Sequence, residues 1–339
     1  MFRLFEENTA DAVWQKIADY FRKTPLSVQE SRGGPAQELL HAAISIKNPR
    51  EKWVLSRKPV LNLAFSLAEI IWLTRGRNDA AFLNFFNRQL PKFAGQTDIY
   101  HGAYGHRLRK SMGFDQLESA YTAFRANPRT RQVVLQIWDA NLDLPDQTGA
   151  AKSADIPCNT SSILKINNNS LEWLQIMRSN DIFRGLPYNI VQFTALQEIL
   201  SGWLEIKMGE YHHISDSLHL YSNCADNIQK SYPIQTLNFS NPDSLAFPKD
   251  ISDRSFLQLE EFITEIIEGR ASQSDLVSLK NCDELPEAFR NMAIILASEA
   301  LRRNRHRDQC EHLLEQCSNP IYTFLYSEWL NRIDHERVK

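Results

Sequence analysis

The chain has few cysteines for its length. Cys158, Cys224, Cys282, Cys310 and Cys317 are scattered over 339 residues and form no CxxC pair. Such an odd, dispersed set offers neither a disulfide framework nor a zinc-ribbon spacing, and it fits a protein kept in a reducing cytoplasm. His212 and His213 do not suggest a metal set, because neighbours on a strand point to opposite faces; no metal is expected. No apolar run approaches the roughly 20 residues that span a bilayer, and residues 1–16 lack the apolar core of a signal peptide. Neither sign of charge dominates: 38 Lys and Arg against 41 Asp and Glu leave a net charge of −3. A global basic field that would draw nucleic acid or a membrane surface is therefore missing. Internal repeats and low-complexity tracts are missing as well.

What is present is the composition of a globular enzyme-sized protein, 43% hydrophobic and 23% charged, with enough apolar mass for a substantial core. The spacing of Val13, Ile17, Tyr20 and Phe21 predicts a helix within residues 1–29, read as an N-terminal helical arm. Alternation around Leu39–Ile46 predicts a strand within 36–65. Helices are expected over 66–75 and 79–95. The β-branched run Gln132–Trp138 reads as a buried strand, and the Asp-, Pro-, Gly- and Ser-rich 139–156 as a loop. Strands are expected at 161–167 and 171–177. A Pro-initiated core helix is expected at 187–204, with Ile190, Phe193, Leu196, Ile199, Leu200 and Trp203 at helical spacing. From about 254 the pattern turns helical: 256–268, 286–303 and 307–317, then an aromatic segment around Tyr322–Trp329. These elements predict an α+β protein with three regions: the arm (1–29), a catalytic core (30–235) and a mainly helical C-terminal region (236–339).

Chemistry concentrates in three blocks. Pro157-Cys158-Asn159 closes the polar loop. Arg178-Ser179-Asn180-Asp181 through Gly185-Leu186-Pro187-Tyr188-Asn189 follows about twenty residues later, and His219-Leu220-Tyr221 comes later still. A cysteine on its own is usually an inert buried thiol; an isolated Asn after Pro is usually a cap. Taken together, in this order, the blocks resemble the thymidylate synthase family. That family carries a Pro-Cys nucleophile, an Arg-Ser-x-Asp…Gly-x-Pro-Phe/Tyr-Asn run and a His-x-Tyr pair. Upstream, Glu69-Ile70-Ile71-Trp72, Tyr104-Gly105, Arg131, Trp138 and Ser31-Arg32-Gly33 resemble further family positions. The resemblance spans about 30–230 and implies the family's mixed sheet packed with helices, extended here by the helical C-terminal part.

The resemblance also implies a reaction and roles. Cys158 would add to C6 of a uracil nucleotide so that C5 becomes nucleophilic, and a nearby cation would favour the reactive thiolate. By resemblance Arg178 lies near the sulfur and, with Arg32, Arg131 and Ser179, grips the phosphate. Asn189 reads the base, since an amide offers one donor and one acceptor to uracil N3–H and O4; relatives acting on deoxycytidylate place Asp there. His219 and Tyr221 meet the sugar. Glu69 and Tyr104 assist proton transfer, and Asp181 meets the pterin of 5,10-methylenetetrahydrofolate, the implied one-carbon donor. The position of Arg131 in the family implies a homodimer with shared sites; the charge balance and the lack of an apolar span point to no nucleic-acid or membrane partner.

Departures cluster on the folate side. Leu90 and Phe93 stand where the family has two tryptophans. Gln132 replaces a second arginine and Asn159 a histidine. Ser215-Asp216-Ser217 replaces Gly-Gly-Asp, which on a strand sends the acid to the other face. The sequence ends in Glu336-Arg337-Val338-Lys339 where the family closes with a short apolar tail. Three readings follow: a dUMP-to-dTMP methyltransferase, a pyrimidine C5 hydroxymethyltransferase, and a catalytically retired nucleotide-binding protein.

Overall fold

The computed structural model describes residues 2–31, 33–229, 240–282 and 284–337. In chain order the elements are β1 (Arg3–Glu7), α1 (Ala10–Lys23), β2 (Ser27–Gln29), β3 (Ala36–Ile46), α2 (Leu63–Thr74), α3 (Ala80–Phe86), α4 (Pro91–Ala94), α5 (Tyr104–Arg109), α6 (Gln116–Ala126), β4 (Val134–Gln136) and α7 (Ala140–Asp143). β5 (Asn159–Asn167), β6 (Ser170–Asp181), α8 (Leu186–Trp203), β7 (Lys207–Tyr221) and α9 (Ala225–Gln229) follow, then α10 (Lys249–Ile267), α11 (Gln273–Ser278), α12 (Glu287–Arg303), α13 (Arg307–Leu314) and α14 (Pro320–Arg337). Among the described residues no helix is long and apolar enough to cross a membrane.

The chain forms two compact units. The first comprises Met1–Leu61, Gln116–Trp138 and Cys158–Asn238. It holds a sheet in the order β1-β3-β7-β6-β5-β4, with β2 also paired to β3. The sheet mixes parallel pairs (β1 with β3, β6 with β7) and antiparallel ones (β3–β7, β5–β6, β4–β5). The mixed sheet and its helices are the α+β architecture the sequence implies. α8 packs on β6 and β7, and α1 on β1, β3 and α8. Trp173, Gln175, Tyr211, His213 and Ser215 are all fully buried in this sheet. The other register rows bring Ile163 opposite both Val134 and Leu174, and Ile176 opposite Ile214; these side chains are half-buried except Val134, which is exposed.

α8 begins with Pro187 in its first turn, where a missing N–H costs nothing, and every residue from Leu186 to Trp203 except Tyr188 is buried. A helix buried all round must satisfy its polar groups internally. Glu198 is held by Lys52, itself 3% exposed, and Gln197 donates to the carbonyls of Leu171 and Glu210.

Residues 1–29 are not an arm. Arg3–Glu7 pairs in parallel with β3 as the sheet's edge strand, and α1, capped by Thr9, buries Val13, Trp14, Ile17 and Phe21. Five helices, α5, α6, α7, α9 and α11, were not expected, and the strand read at 132–138 shortens to Val134–Gln136.

The second unit, Asn62–Asp115, Asp139–Pro157 and Phe239–Lys339, is helical. α2 lies at its centre, with α3, α5, α10, α12 and α14 packed on it. This revises the expected boundary. The C-terminal helices are not a separate region, because they share a core with residues 62–115 of the expected catalytic segment. Glu299, fully buried on α12, is neutralised by Arg302 and Arg303 and accepts from Tyr326 Oη at 3.1 Å.

Candidate active site

Of the five cysteines only Cys158 is not buried. Burial pushes the Cys310 and Cys317 thiols up to about 11, away from nucleophilic use. Cys158 sits at the head of β5, where the ladder slips between Asn159 and Ser161. The backbone N–H of Arg178 donates to the Cys158 carbonyl at 2.9 Å, and Arg178 Nη2 lies 3.8 Å from Cys158 Sγ. The guanidinium carbon stands 5.5 Å from the centre of the Trp138 ring. A cation is thus set beside the thiol and backed by an aromatic face.

From there the site runs along the ends of β6 and β7. Ser179 Oγ is 3.4 Å from His219 Nδ1, Asp181 pairs in register with His219, and the rings of His219 and Tyr221 are 5.0 Å apart. Arg184 lies over the Tyr221 ring at 5.4 Å and donates to Asn223 Oδ1 at 2.9 Å. The Ser31–Gly34 turn reaches the same place: a Cβ on Gly33 would stand 2.6 Å from Tyr221 Cε1. A Cβ there would have to push the Tyr221 ring aside, so glycine lets the turn and the ring sit this close. Arg32, the expected phosphate ligand of this turn, lies outside the described residues.

Asp181 Oδ1 accepts from the N–H groups of Phe183 and Arg184, both at 2.6 Å, so it shapes the turn into α8. Its Oδ2 is buried with no hydrogen-bond partner among the described residues, and burial pushes its carboxyl up. Asn189, one turn into α8 and 8% exposed, donates from Nδ2 to Asn180 Oδ1 at 3.1 Å. Thus Cys158, Arg178, Ser179, Asp181, Asn189, His219 and Tyr221 lie along one end of β5, β6, β7 and α8. Arg131 does not join them: it is exposed ahead of β4 and makes no hydrogen bond or ion pair among the described residues.

The remaining expected residues belong to the second unit. Glu69 is half-buried on α2, with Oε2 sealed from solvent. Tyr104 opens α5, and Gly105 beside it lets α5 close on α2, since a Cβ there would meet Leu73 O at 2.2 Å. Leu90 is half-buried ahead of α4 and Phe93 is 51% exposed. The loop 139–156 is anchored: Asp143, buried on α7, takes Arg107 Nη2 at 2.9 Å and His101 Nε2 at 2.8 Å, and Asp155 caps Gly102 N at 2.7 Å.

Asp216, expected to be displaced, is exposed and meets His41 Nδ1 at 2.7 Å. Position 217 carries Ser217, which donates to Glu38. Sequence reasoning missed Asn180, His213, Gln175 and Arg184. Gln175 Nε2 donates to Asn159 Oδ1 at 2.6 Å, so Asn159 is part of a buried strand-to-strand bond. The available signal was polar residues, Gln175 and His213, at inward positions of otherwise apolar strands.

A solvent-reachable thiol beside a guanidinium, with an amide, a His–Tyr pair and a glycine turn arrayed after it, is an arrangement whose chemistry suits covalent attack on a substrate. The thymidylate synthase family model matches residues 50–263, and the chain belongs to that family. It is similar to the deoxyuridylate hydroxymethyltransferase of Bacillus phage SP01, 29% identical over 255 residues that cover 69% of this chain and 66% of that one. The protein of the same name from Pseudomonas phage M6 is 29% identical over 59% of this chain and 56% of its own. The thymidylate synthase of Phytoplasma mali is 26% identical over 52% of this chain and 72% of its own. The chain thus spans somewhat under two thirds of the length of the two phage relatives.

Proposed function

We propose that the protein is a C5 one-carbon transferase acting on deoxyuridylate. The observation that carries this reading is the 3.8 Å approach of Arg178 Nη2 to Cys158 Sγ. In this reading the sulfur bonds to C6 while the C5–C6 π pair moves onto C5 and the C4 carbonyl, giving an enolate. C5 then forms its bond to the one-carbon unit; loss of the C5 proton would expel the donor nitrogen and leave an exocyclic methylene, and addition of hydride (methyl product) or water (hydroxymethyl product) to that carbon would restore C5–C6 as the sulfur departs. Ser179, Arg178 and, beyond this protomer, Arg131 hold the phosphate; Asn189 takes the base, and His219 with Tyr221 the sugar. Glu69 and Tyr104 handle protons.

5,10-Methylenetetrahydrofolate would supply the one-carbon unit. The buried Oδ2 of Asp181, without a hydrogen-bond partner among the described residues, suits a pterin N–H, and Leu90 and Phe93 would line the folate. The homodimer implied by Arg131 is supported by the half-buried row of Ile163, Leu174, Ile176 and Ile214. Five free cysteines agree with a cytoplasmic enzyme.

The product admits a second reading. Reduction to a methyl group needs a closed apolar site, whereas a hydroxymethyl product needs water at the intermediate. Two observations favour hydroxymethyl: the names of the phage relatives and the smaller, half-exposed Phe93 at a tryptophan position. Tritium release from 5-tritiated deoxyuridylate with methylenetetrahydrofolate tests the reaction, and product mass separates the two groups. Lack of release, together with indifference to Cys158→Ser, would leave the retired nucleotide-binding reading.

A further inference from the structure

Behind Asn189 lies a line of buried polar groups that the reaction does not use. Asn189 Nδ2 donates to Asn180 Oδ1 at 3.1 Å, and Asn180 Nδ2 in turn reaches His213 Nε2 at 3.2 Å and Met177 Sδ at 3.2 Å. His213 Nε2 also meets Ser215 Oγ at 2.9 Å, and its Nδ1 meets Tyr211 Oη at 3.1 Å. His213, Ser215 and Tyr211 are completely buried and Asn180 is 3% exposed, so each group depends on its neighbour for a partner.

Such a chain has a direction. Met177 Sδ can only accept, so Asn180 must turn its NH₂ toward it and toward His213 Nε2. Its Oδ1 is left to accept from Asn189, which fixes Asn189 with Nδ2 inward and Oδ1 open to a ligand. Uracil presents N3–H as a donor and O4 as an acceptor; cytosine presents the reverse, with N3 accepting and the 4-amino group donating. Held this way, Asn189 can accept from uracil N3–H while its second amide hydrogen donates to O4. Turned over, the same amide would fit cytosine.

We infer that His213, acting through Asn180, is a specificity-determining positioning residue that holds the Asn189 amide in the orientation that takes uracil and rejects cytosine. The inference rests on the proposed nucleotide site. It requires His213 to be the neutral Nδ1–H tautomer, with Nδ1 donating to Tyr211 Oη and Nε2 accepting. Burial lowers this histidine to about 3, so the ring is neutral at working pH.

The test is equilibrium binding of deoxyuridylate and deoxycytidylate to the full chain and to Asn180→Leu, Asn180→Asp and the double variant Met177→Leu/His213→Phe. The wild type is expected to prefer deoxyuridylate by on the order of ten- to a hundredfold, the discrimination of one bidentate base contact. Asn180→Leu removes the acceptor behind Asn189, and the double variant removes both acceptors of the Asn180 NH₂, so in each the preference should collapse toward unity. Asn180→Asp still accepts from Asn189 and should retain it. Should Asn180→Leu not fold, the double variant carries the same test. Equal weakening of both nucleotides at an unchanged ratio, or loss of preference in Asn180→Asp, overturns the inference and leaves the proposed function standing. A wild type that binds neither nucleotide overturns both.

Discussion

Arg178 touches Cys158 twice, through its backbone N–H on the Cys158 carbonyl at 2.9 Å and through Nη2 at 3.8 Å from the sulfur. The β5–β6 ladder therefore fixes the two main chains against each other, and the guanidinium reaches the sulfur from there, beside the Trp138 ring. Cys158→Ser should abolish tritium release, because an alkoxide is not available at neutral pH. Arg178→Lys keeps a charge but loses the planar fork, and should raise the nucleotide dissociation constant by about tenfold or more, on the order of 1.5–3 kcal/mol for a charged hydrogen bond. Full activity in either variant would remove these residues from the chemistry.

Much of this site was legible in the sequence because covalent chemistry restricts residue type. Few side chains can replace Cys158 as a nucleophile or Arg178 as a phosphate fork, so their order along the chain persists. The supporting layer is set by pairing instead. Nothing local distinguishes His212 from His213; only the register of β7 makes the first half-exposed and the second fully buried. β1 was missed for a related reason: on an edge strand of Arg3-Leu4-Phe5-Glu6-Glu7 only Phe5 is buried, too little for alternation to register. The second unit was hidden because α2 finds α10, α12 and α14 across nearly two hundred residues or more of chain, and such packing leaves no local signature.

Gly105 explains the Tyr-Gly pair. A Cβ there would stand 2.2 Å from Leu73 O and 2.5 Å from Leu73 Cα. Backbone cannot yield as a side-chain tip can, so Gly105→Ala should push α5 from α2 and shift Tyr104 relative to Glu69. We expect a loss of about 1–3 kcal/mol of stability, typical of overpacking. The accompanying fall in kcat should exceed that of an exposed Ser111→Ala control. Urea titration and initial rates measure both; unchanged kcat in a folded Gly105→Ala protein would separate the helix contact from proton transfer.

His213 also makes acid sensitivity predictable. Its folded-state value of about 3 lies below the ordinary 6.5 because burial disfavours the charged ring. The unfolded chain takes up a proton as pH falls through 6.5, and the folded chain does not. Stability from this residue is therefore complete above about pH 6.5 and is lost on acidification, by about 1.4 kcal/mol per pH unit until pH approaches 3. Denaturant unfolding at pH 7 and pH 5 should show a smaller drop for His213→Phe than for the wild type. Parallel pH slopes for the two proteins would mean that the histidine is accommodated charged.

Asn319 illustrates how the helical unit is fastened without disulfides. It is fully buried, and it caps α14 by accepting from the N–H groups of Ile321 at 3.0 Å and Tyr322 at 3.3 Å. Its Nδ2 donates to Asp243 Oδ2 at 2.8 Å and Asn241 Oδ1 at 3.1 Å, while Asn291 on α12 donates to both Asp243 oxygens at 3.1 Å. Three segments distant in sequence thus share one carboxylate. Asn319→Ala removes a cap, worth about 0.5–2 kcal/mol, and strips a donor from a buried acceptor, at about 1–3 kcal/mol. The sum is a substantial fraction of a domain's net stability. Asn319→Asp keeps the capping acceptor but sets a second carboxylate against Asp243, so at neutral pH it should be no better than alanine and should recover on mild acidification. A melting temperature for Asn319→Asp equal to wild type at pH 7 would show that the cap alone matters and that the shared carboxylate does not.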